Sequence, residues 1–150
     1  MRTPEEQANF ELLCQIENLV SVLINTHGYG SLTEPQKTIY AVWWLDADVN
    51  NGGFDQYFFN SWSDHYADAL HGLDLIGAPQ TAAILRRAIA VFPDTGPSTD
   101  REQRVAELAG LSEAVHNQFH SLTNEFYERP HDLEALLAAY ARRHIAELSS

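Results

Sequence analysis

The sequence predicts an all-α fold, arranged as a single compact domain of about seven or eight helices. Apolar residues recur three and four positions apart along most of the chain, which is the spacing of one face of a helix. No segment combines alternating apolar and polar residues with the β-branched enrichment of a strand. The 150 residues are 45% hydrophobic, enough to bury a substantial core. No linker or internal repeat divides them.

Two similar capping signals begin the first two predicted helices. Residues 3–6 and 33–36 each place threonine three positions before Glu or Gln, with proline between them, which is the capping-box pattern. Gly28 stops the first helix, and the double glycine Gly52-Gly53 stops the second. The periodic residues are Leu13, Ile16, Val20, Leu23 and His27 in the first helix, and Ile39, Val42, Trp43 and Ala47 in the buried stripe of the second.

A short helix through Tyr57 and Phe59 is predicted next, and Ser63 is predicted to cap the helix after it. Pro93 ends a further helix, and residues 93–98 form the clearest loop. The apolar stripes of the two longer helices are Tyr66, Leu70, Leu73 and Ile76, then Ala82, Leu85, Ile89 and Phe92.

The last third of the chain repeats this organisation. Residues 99–102 offer a third capping box with Thr99 as the cap, and Gly110 interrupts the helix that follows. Pro130 ends a long amphipathic helix, and one more helix completes the chain. The stripes are Val115, Phe119, Leu122 and Phe126, then Leu133, Leu136 or Leu137, Tyr140 and His144.

The charge of the chain restricts the classes of partner. Twenty-one acidic against nine basic side chains give a formal net charge of −12. A nucleic-acid duplex or an anionic membrane surface would be repelled, so we expect neither, whereas a cationic protein would be attracted. The same acidity, with a pI near 4.8, is also common in soluble bacterial proteins. The single Cys14 excludes an internal disulfide, and an N-terminus without an apolar signal region favours the cytoplasm.

Residues 43–62 are the most distinctive segment. Seven aromatic residues surround the double glycine, together with several side-chain amides. Glycine adopts left-handed backbone angles without steric cost, so the chain can leave one helix, turn sharply and restart with Phe54 pointing inward. The amides supply the hydrogen-bonding groups that such a corner needs.

This segment carries a family resemblance. With residues 76–78, 92–101 and 126–140, it resembles a bacterial family of unknown function whose members include DNA-mimic proteins, over roughly residues 36–144. The motif consists of Asn50, Asn51, Gly52, Gly53, Phe54, Gln56, Tyr57 and Phe58. The resemblance implies an interaction role, such as that of an anti-repressor or similar modulator, and a homodimer. Two positions depart from the family: Asp48 replaces a glutamate, and Thr123 follows Leu122 where an aspartate is expected, which removes a carboxylate from any acidic face there.

Three groups of residues resemble parts of metal sites, but none supplies a complete set of ligands. Asp46, Asp48 and Asn50 alternate as in a calcium loop, but the later loop positions hold the wrong residue types. His116 and His120 lie one helical turn apart, opposite the apolar stripe, which favours two solvated histidines. A second cluster at residues 64–71, with two aspartates and two histidines, would need ligands from another segment. We therefore predict no metal and no cofactor.

The sequence offers little for catalysis. Cys14 is predicted to be a small buried residue, and no phosphate-binding loop or nucleophile elbow is present. An enzyme or small-ligand binder would have to use a polar corner that is roofed by aromatic side chains. Its polar residues would be Asp48, Asn50, Asn51, Asp55 and Gln56, under Phe54, Tyr57 and Trp62. A structural hydrogen-bond network explains the same residues and is favoured, so we expect no enzyme.

The carboxylates suggest the main hypothesis. Helical residues four apart are separated by about 6 Å, similar to successive phosphates of a duplex strand, and Asp64 and Asp68 have this spacing. Neutralising both is predicted to weaken binding without unfolding. The predicted partner-binding residues are Asp46, Asp48, Asp55, Asp64, Asp68, Asp74, Glu102, Glu107, Glu125, Glu128 and Asp132.

Three functions remain open from the sequence. The first is a module that occupies the DNA-binding surface of a basic protein such as a transcriptional regulator. The second is the ligand binder or enzyme described above. The third is an acidic regulatory or immunity-like domain without mimicry.

Overall fold

The computed structural model describes residues 1–149 and confirms the all-α prediction: these residues form eight helices and no strand. Two short 3₁₀ turns, Tyr29–Ser31 and Ser61–His65, connect helices. The helices are α1 Pro4–His27, α2 Glu34–Phe59, α3 Tyr66–Leu75, α4 Pro79–Ala90, α5 Arg101–Ala109, α6 Glu113–Tyr127, α7 Leu133–Arg143 and α8 Ile145–Leu148. Within this described part, no helix is both long and apolar enough to cross a membrane.

Helix α2 is the centre of the fold. It contacts α1, α3, α5, α6, α7 and α8, so most of the core is built on its surface. Its side chains Ile39, Val42 and Leu45 are fully buried, as the helical spacing predicts. At the ends of the predicted stripes, however, His27 and Ala47 are exposed.

The predicted capping boxes of α1 and α2 are confirmed. Thr3 and Thr33 each accept a hydrogen bond from the third residue of their helix, and the side chain of that residue binds back to the cap. Two other predicted caps are wrong. Asp100, not Thr99, caps α5 by accepting from the Gln103 N–H at 3.0 Å.

Ser63, the other mispredicted cap, lies inside a 3₁₀ turn. Its hydroxyl donates to the Asn60 carbonyl at 2.9 Å, and α3 begins three residues later without a side-chain cap. The turn occupies the segment in which the sequence suggested a helix start.

The double glycine makes a kink inside α2 rather than a complete break. Gly52 (φ −154°, ψ 15°) and Gly53 (φ 78°, ψ −174°) depart from helical geometry, and helical bonding continues on both sides. A Cβ on Gly53 would lie 3.0 Å from the Thr123 hydroxyl, and this hydroxyl accepts a hydrogen bond from the Phe54 N–H at 3.1 Å. Thr123 is buried, so position 123 supports the kink and is not part of an acidic face.

The aromatic side chains after the kink form the middle of the core. Phe54, Tyr57 and Phe58 are fully buried, and Phe58 packs edge-on against Phe92 at a centroid distance of 4.9 Å. Phe59, in contrast, is exposed. The short segment after the double glycine therefore places three of its aromatic rings inward, including that of Phe54, as the sequence predicts.

Candidate functional site

The amide-rich corner is a hydrogen-bond network that joins the two arms of the α2 kink. The Asp48 carboxylate accepts from the Gln56 amide at 3.1 Å and from the Asn60 amide at 3.3 Å. Asp48 is only 5% exposed, so it is not part of an acidic surface, contrary to the prediction for this residue. Burial raises the pKa of the Asp48 carboxyl, and the two amide hydrogen bonds oppose that shift.

The remaining motif amides are also bonded within the protein. The Asn51 amide donates to the side-chain oxygen Oε1 of Gln56 at 3.1 Å, and the Asn50 amide donates to the Asp46 carboxylate at 2.7 Å. These bonds support the structural interpretation of the corner, because the side chains that a ligand would need already serve one another. The same geometry keeps Asp46, Asp48 and Asn50 on a helix, not in a calcium loop.

Arg104 fastens the end of α2 to the rest of the fold, and sequence reasoning missed it. Its guanidinium is completely buried and donates to the carbonyls of Phe58 at 2.7 Å and of Asn60 and Ser98, both at 3.0 Å. It also pairs with the Asp64 carboxylate at 2.8 Å. One signal was present: Arg104 lies four positions before the buried Leu108 and therefore on the inner face of α5.

The predicted pair of Asp64 and Asp68 does not form a phosphate-like array. Asp64 lies in the 3₁₀ turn before α3, so the two residues do not share one continuous helix. Asp64 is committed to Arg104, and Asp68 accepts a hydrogen bond from the Tyr29 hydroxyl at 2.7 Å. Neutralising Asp64 would remove the counter-ion of a buried arginine, so we now expect this substitution to reduce the stability of the fold.

Of the two histidines predicted to be solvated, His120 is 71% exposed, whereas His116 is partly buried against Asp55. The Nδ1 atom of His116 lies 2.9 Å from one oxygen of Asp55, and Nε2 of His120 lies 3.6 Å from the other. Asp55 follows the kink directly, so the two histidines of α6 meet α2 at this point. When they are protonated, both would form ion pairs with the same carboxylate.

The second predicted cluster does not converge. His65 stacks on the Tyr29 ring at 3.5 Å, and burial lowers the pKa of this histidine. His71 instead lies 3.7 Å from Glu34 on the exterior. Across residues 1–149, no three His, Cys, Asp or Glu side chains are placed to hold a metal ion.

Cys14 is half-buried rather than buried, and desolvation raises the pKa of its thiol.

The other predicted partner-binding acids fall into two groups. Some have partners: Glu125 pairs with Arg87 at 2.7 Å, and Glu107 accepts from the Ser98 N–H at 2.8 Å. Asp74, Glu102, Glu128 and Asp132 are exposed, although Asp132 also caps α7. In the described chain, the carboxylates of Glu102 and Glu128 form no hydrogen bond or ion pair.

Most of the negative charge lies on the exterior. Every Asp and Glu except Asp48 is at least partly exposed, whereas Arg104 withdraws one of the nine basic side chains from the surface. No single basic cluster balances the acids locally: the exposed arginines are distributed over both chain ends, α4, α5 and the α6–α7 connection. The molecule therefore presents an anionic exterior on a helical scaffold.

Comparison with known proteins agrees with these observations. A family model described as DMP19-like protein matches residues 30–144, and this range includes the kink, Arg104 and the Asp55–histidine contacts. The match begins slightly before the range of the sequence resemblance. Searches of curated proteins and of solved structures found no match. Because the family model covers most of the 150 residues, the chain belongs to the DMP19-like protein family.

Proposed function

We propose that this protein is a DNA-mimic-type interaction module that occupies the DNA-binding surface of a basic partner, such as a transcriptional regulator. Membership of the DMP19-like family supports this proposal. The partner would be a protein whose binding surface carries Lys and Arg side chains that otherwise contact phosphates.

The distribution of charge is the observation that carries the proposal. The formal net charge is −12, and only one of the acidic side chains is withdrawn from solvent. Helices that pack on a common core hold these carboxylates in fixed relative positions, which a flexible acidic tail cannot do. Such a field accelerates association with a cationic surface and disfavours anionic partners.

Two unpaired acids offer the cleanest test of a partner surface. Glu102 lies in the first turn of α5, and Glu128 directly follows α6. Both are exposed, so replacing them with glutamine removes charge without removing an internal contact. The more central acids are less suitable, because Asp48, Asp55 and Asp64 each bond within the protein.

The experiment begins with affinity capture of partners from a lysate of the source organism at low salt. Binding of each purified partner is then measured at increasing salt concentration and in competition with duplex DNA that the partner recognises. We expect the affinity to fall steeply with salt, because screening shortens the range of the charges. We also expect the duplex and this protein to exclude each other.

A matched pair of variants separates a defined surface from general acidity. The double variant E102Q/E128Q is compared with E5Q/E11Q, which changes the net charge equally but on α1. A larger loss for the first variant supports the predicted surface. Equal losses would indicate non-specific attraction. Binding that ignores salt and duplex DNA would contradict mimicry and favour an acidic regulatory domain.

The proposal also includes a non-enzymatic role, a cytoplasmic location and a homodimer. The internally bonded corner supports a non-enzymatic role, because the Asn51 and Gln56 amides bond to other side chains of the corner. Cytoplasmic residence would suit a partner that binds DNA. The homodimer implied by the resemblance stays a prediction, and sedimentation equilibrium would measure it directly.

A further inference from the structure

Three adjoining cavities, which we call the α1–α7 cleft, lie between the start of α1, the middle of α2 and the α6–α7 connection. The largest has a volume of about 460 Å³, and the others of about 170 and 160 Å³. Arg129 borders the first and second, Arg2 and Glu134 border the first and third, and Asp46 borders the second and third. The largest alone falls within the size range of small-molecule sites.

Two buried polar groups on the lining of the cleft have no hydrogen-bond partner. Asn9 borders the largest cavity, is 5% exposed, and its Oδ1 atom is unpartnered. Thr81 borders the second cavity, is 2% exposed, and its Oγ1 atom is unpartnered. Buried polar groups normally find partners inside the protein. The two atoms are shielded from solvent, but their side chains border the cavities, so a ligand could supply the missing bonds if these side chains turn toward it.

The charges of the cleft are of both signs. Asp46 and Glu134 are the more enclosed acids, and Glu134 already accepts from the Arg2 guanidinium at 3.4 Å. Arg129 is freer: its side chain is 68% exposed, and its ion pair with Asp132 spans 3.7 Å, too long for a strong hydrogen bond. A ligand that carries only positive or only negative charge would be repelled by the lining residues of the same charge. A ligand that carries both signs would match this lining.

We propose that the α1–α7 cleft binds a small zwitterion, an α-amino acid, with its ammonium group at Asp46, its carboxylate at Arg129 and its side chain toward Asn9. Asp46 and Arg129 border the same small cavity, which suits the compact charged end of an amino acid. Arginine presents paired donors that fit a carboxylate. The Asn9 side chain borders the larger cavity, and its carboxamide carries both a donor and an acceptor, which suits a ligand side chain that ends in an amide.

The probe is L-glutamine, added to the ¹⁵N-labelled full chain and followed by two-dimensional NMR. Two derivatives remove one charge each: the methyl ester lacks the carboxylate, and N-acetylglutamine lacks the ammonium group. We expect saturable shifts at residues that border the cleft, and affinities at least about tenfold weaker for both derivatives, since each loses a charge-assisted hydrogen bond.

Variants assign the two ends of the ligand. Arg129 has φ 51°, so Arg129→Asn removes the guanidinium while keeping a residue that tolerates this conformation. This variant should bind L-glutamine about tenfold more weakly and the methyl ester unchanged. Asp46→Asn should weaken both ligands, and E102Q, remote from the cleft lining, should alter neither. The spectra report directly whether each variant is folded.

Two results would overturn the proposal. One is the absence of shifts at the cleft with millimolar L-glutamine, which would leave the cleft filled by water alone. The other is equal affinity for all three probes, which would remove the charge recognition. Neither measurement involves a protein partner, so the DNA-mimic proposal stands or fails separately.

Discussion

The corner at Gly52-Gly53 and the α1–α7 cleft treat buried polar groups in opposite ways. At the corner, the Asp48 carboxylate and the Arg104 guanidinium find all their bonds within the protein. At the cleft, Asn9 and Thr81 each retain an unpartnered atom beside a cavity. The dense polar motif therefore stabilises the fold, whereas isolated polar residues on separate helices line the proposed ligand site.

The Tyr57 hydroxyl and the Trp44 indole nitrogen are also buried without partners. Both belong to packed aromatic side chains, since Trp44 stacks on Trp62 at 3.9 Å and Tyr57 lies edge-on to Phe58 at 5.2 Å. Neither borders the cleft, so these atoms reflect aromatic packing and do not extend the proposed site.

The largest effect should come from the corner. Arg104→Met keeps an apolar side chain of similar length but leaves Asp64 and three carbonyls without their donor. We expect the free energy of unfolding, measured with urea, to fall by about 3–5 kcal/mol. Arg101→Gln is the control, because exposed Arg101 also donates to a carbonyl of α2, that of Phe59.

The control should lose less than about 1 kcal/mol, because a surface arginine remains hydrated when its partner is lost. Equal losses for the two variants would show that the burial of Arg104 does not increase the cost of its removal in free energy of unfolding. Full stability of Arg104→Met would show that the corner holds without it.

A second experiment isolates the kink itself. Gly53→Ala forces a side chain onto a residue at φ 78° and places its Cβ 3.0 Å from the Thr123 hydroxyl. Gly28 has a similar φ of 85°, with nothing within 4 Å of the corresponding Cβ. We expect thermal or urea unfolding to show a loss of about 1 kcal/mol for Gly28→Ala and about 2–3 kcal/mol for Gly53→Ala.

The difference between these two variants measures the close approach of α6 to the kink, because both carry the conformational penalty. If the two losses were equal, Thr123 would not constrain the corner. Thr123→Ser, which keeps the hydroxyl but removes a methyl group near Gly53, should recover part of the loss in the double variant.

These regions also show how far the sequence could predict the structure. The capping boxes at Thr3 and Thr33 depend on residues within four positions, and both are confirmed. The role of Arg104 depends on backbone carbonyls up to 46 residues away. Because every residue has a backbone carbonyl, the pattern of side chains does not indicate which ones accept these bonds. The contact of Asp55 with His116, 61 residues later, was likewise hidden by its separation in sequence.

The cleft illustrates the limit more sharply. The sequence assigns Asp46 to an alternating acidic motif and to the partner surface but not to a cleft, because Arg129 and Glu134 approach it from the other end of the chain. Asn9 follows a helix start that the sequence identified correctly, yet nothing local distinguishes its amide from an exposed one. Unpartnered atoms arise from packing and are therefore visible only in three dimensions.

The last prediction is a pH dependence of stability at the cleft. Burial raises the pKa of the Asp46 carboxyl to about 6; nearby Glu134 and Asp132 raise it further, whereas Asn50 and Arg129 oppose the shift. The folded state therefore holds this proton more tightly than the unfolded state does. The resulting stability is complete at acidic pH and is lost as the pH rises through about 6.

We expect the stability of the wild-type chain, relative to Asp46→Asn, to decrease between the ordinary aspartate pKa and about pH 6, and to be constant above it. Asp74→Asn is the control for the loss of one carboxylate, because the Asp74 side chain is 54% exposed. Urea unfolding at several pH values measures both differences. A flat difference for Asp46→Asn would mean that the cleft does not desolvate this carboxyl, and would remove the contrast with an ordinary surface acid.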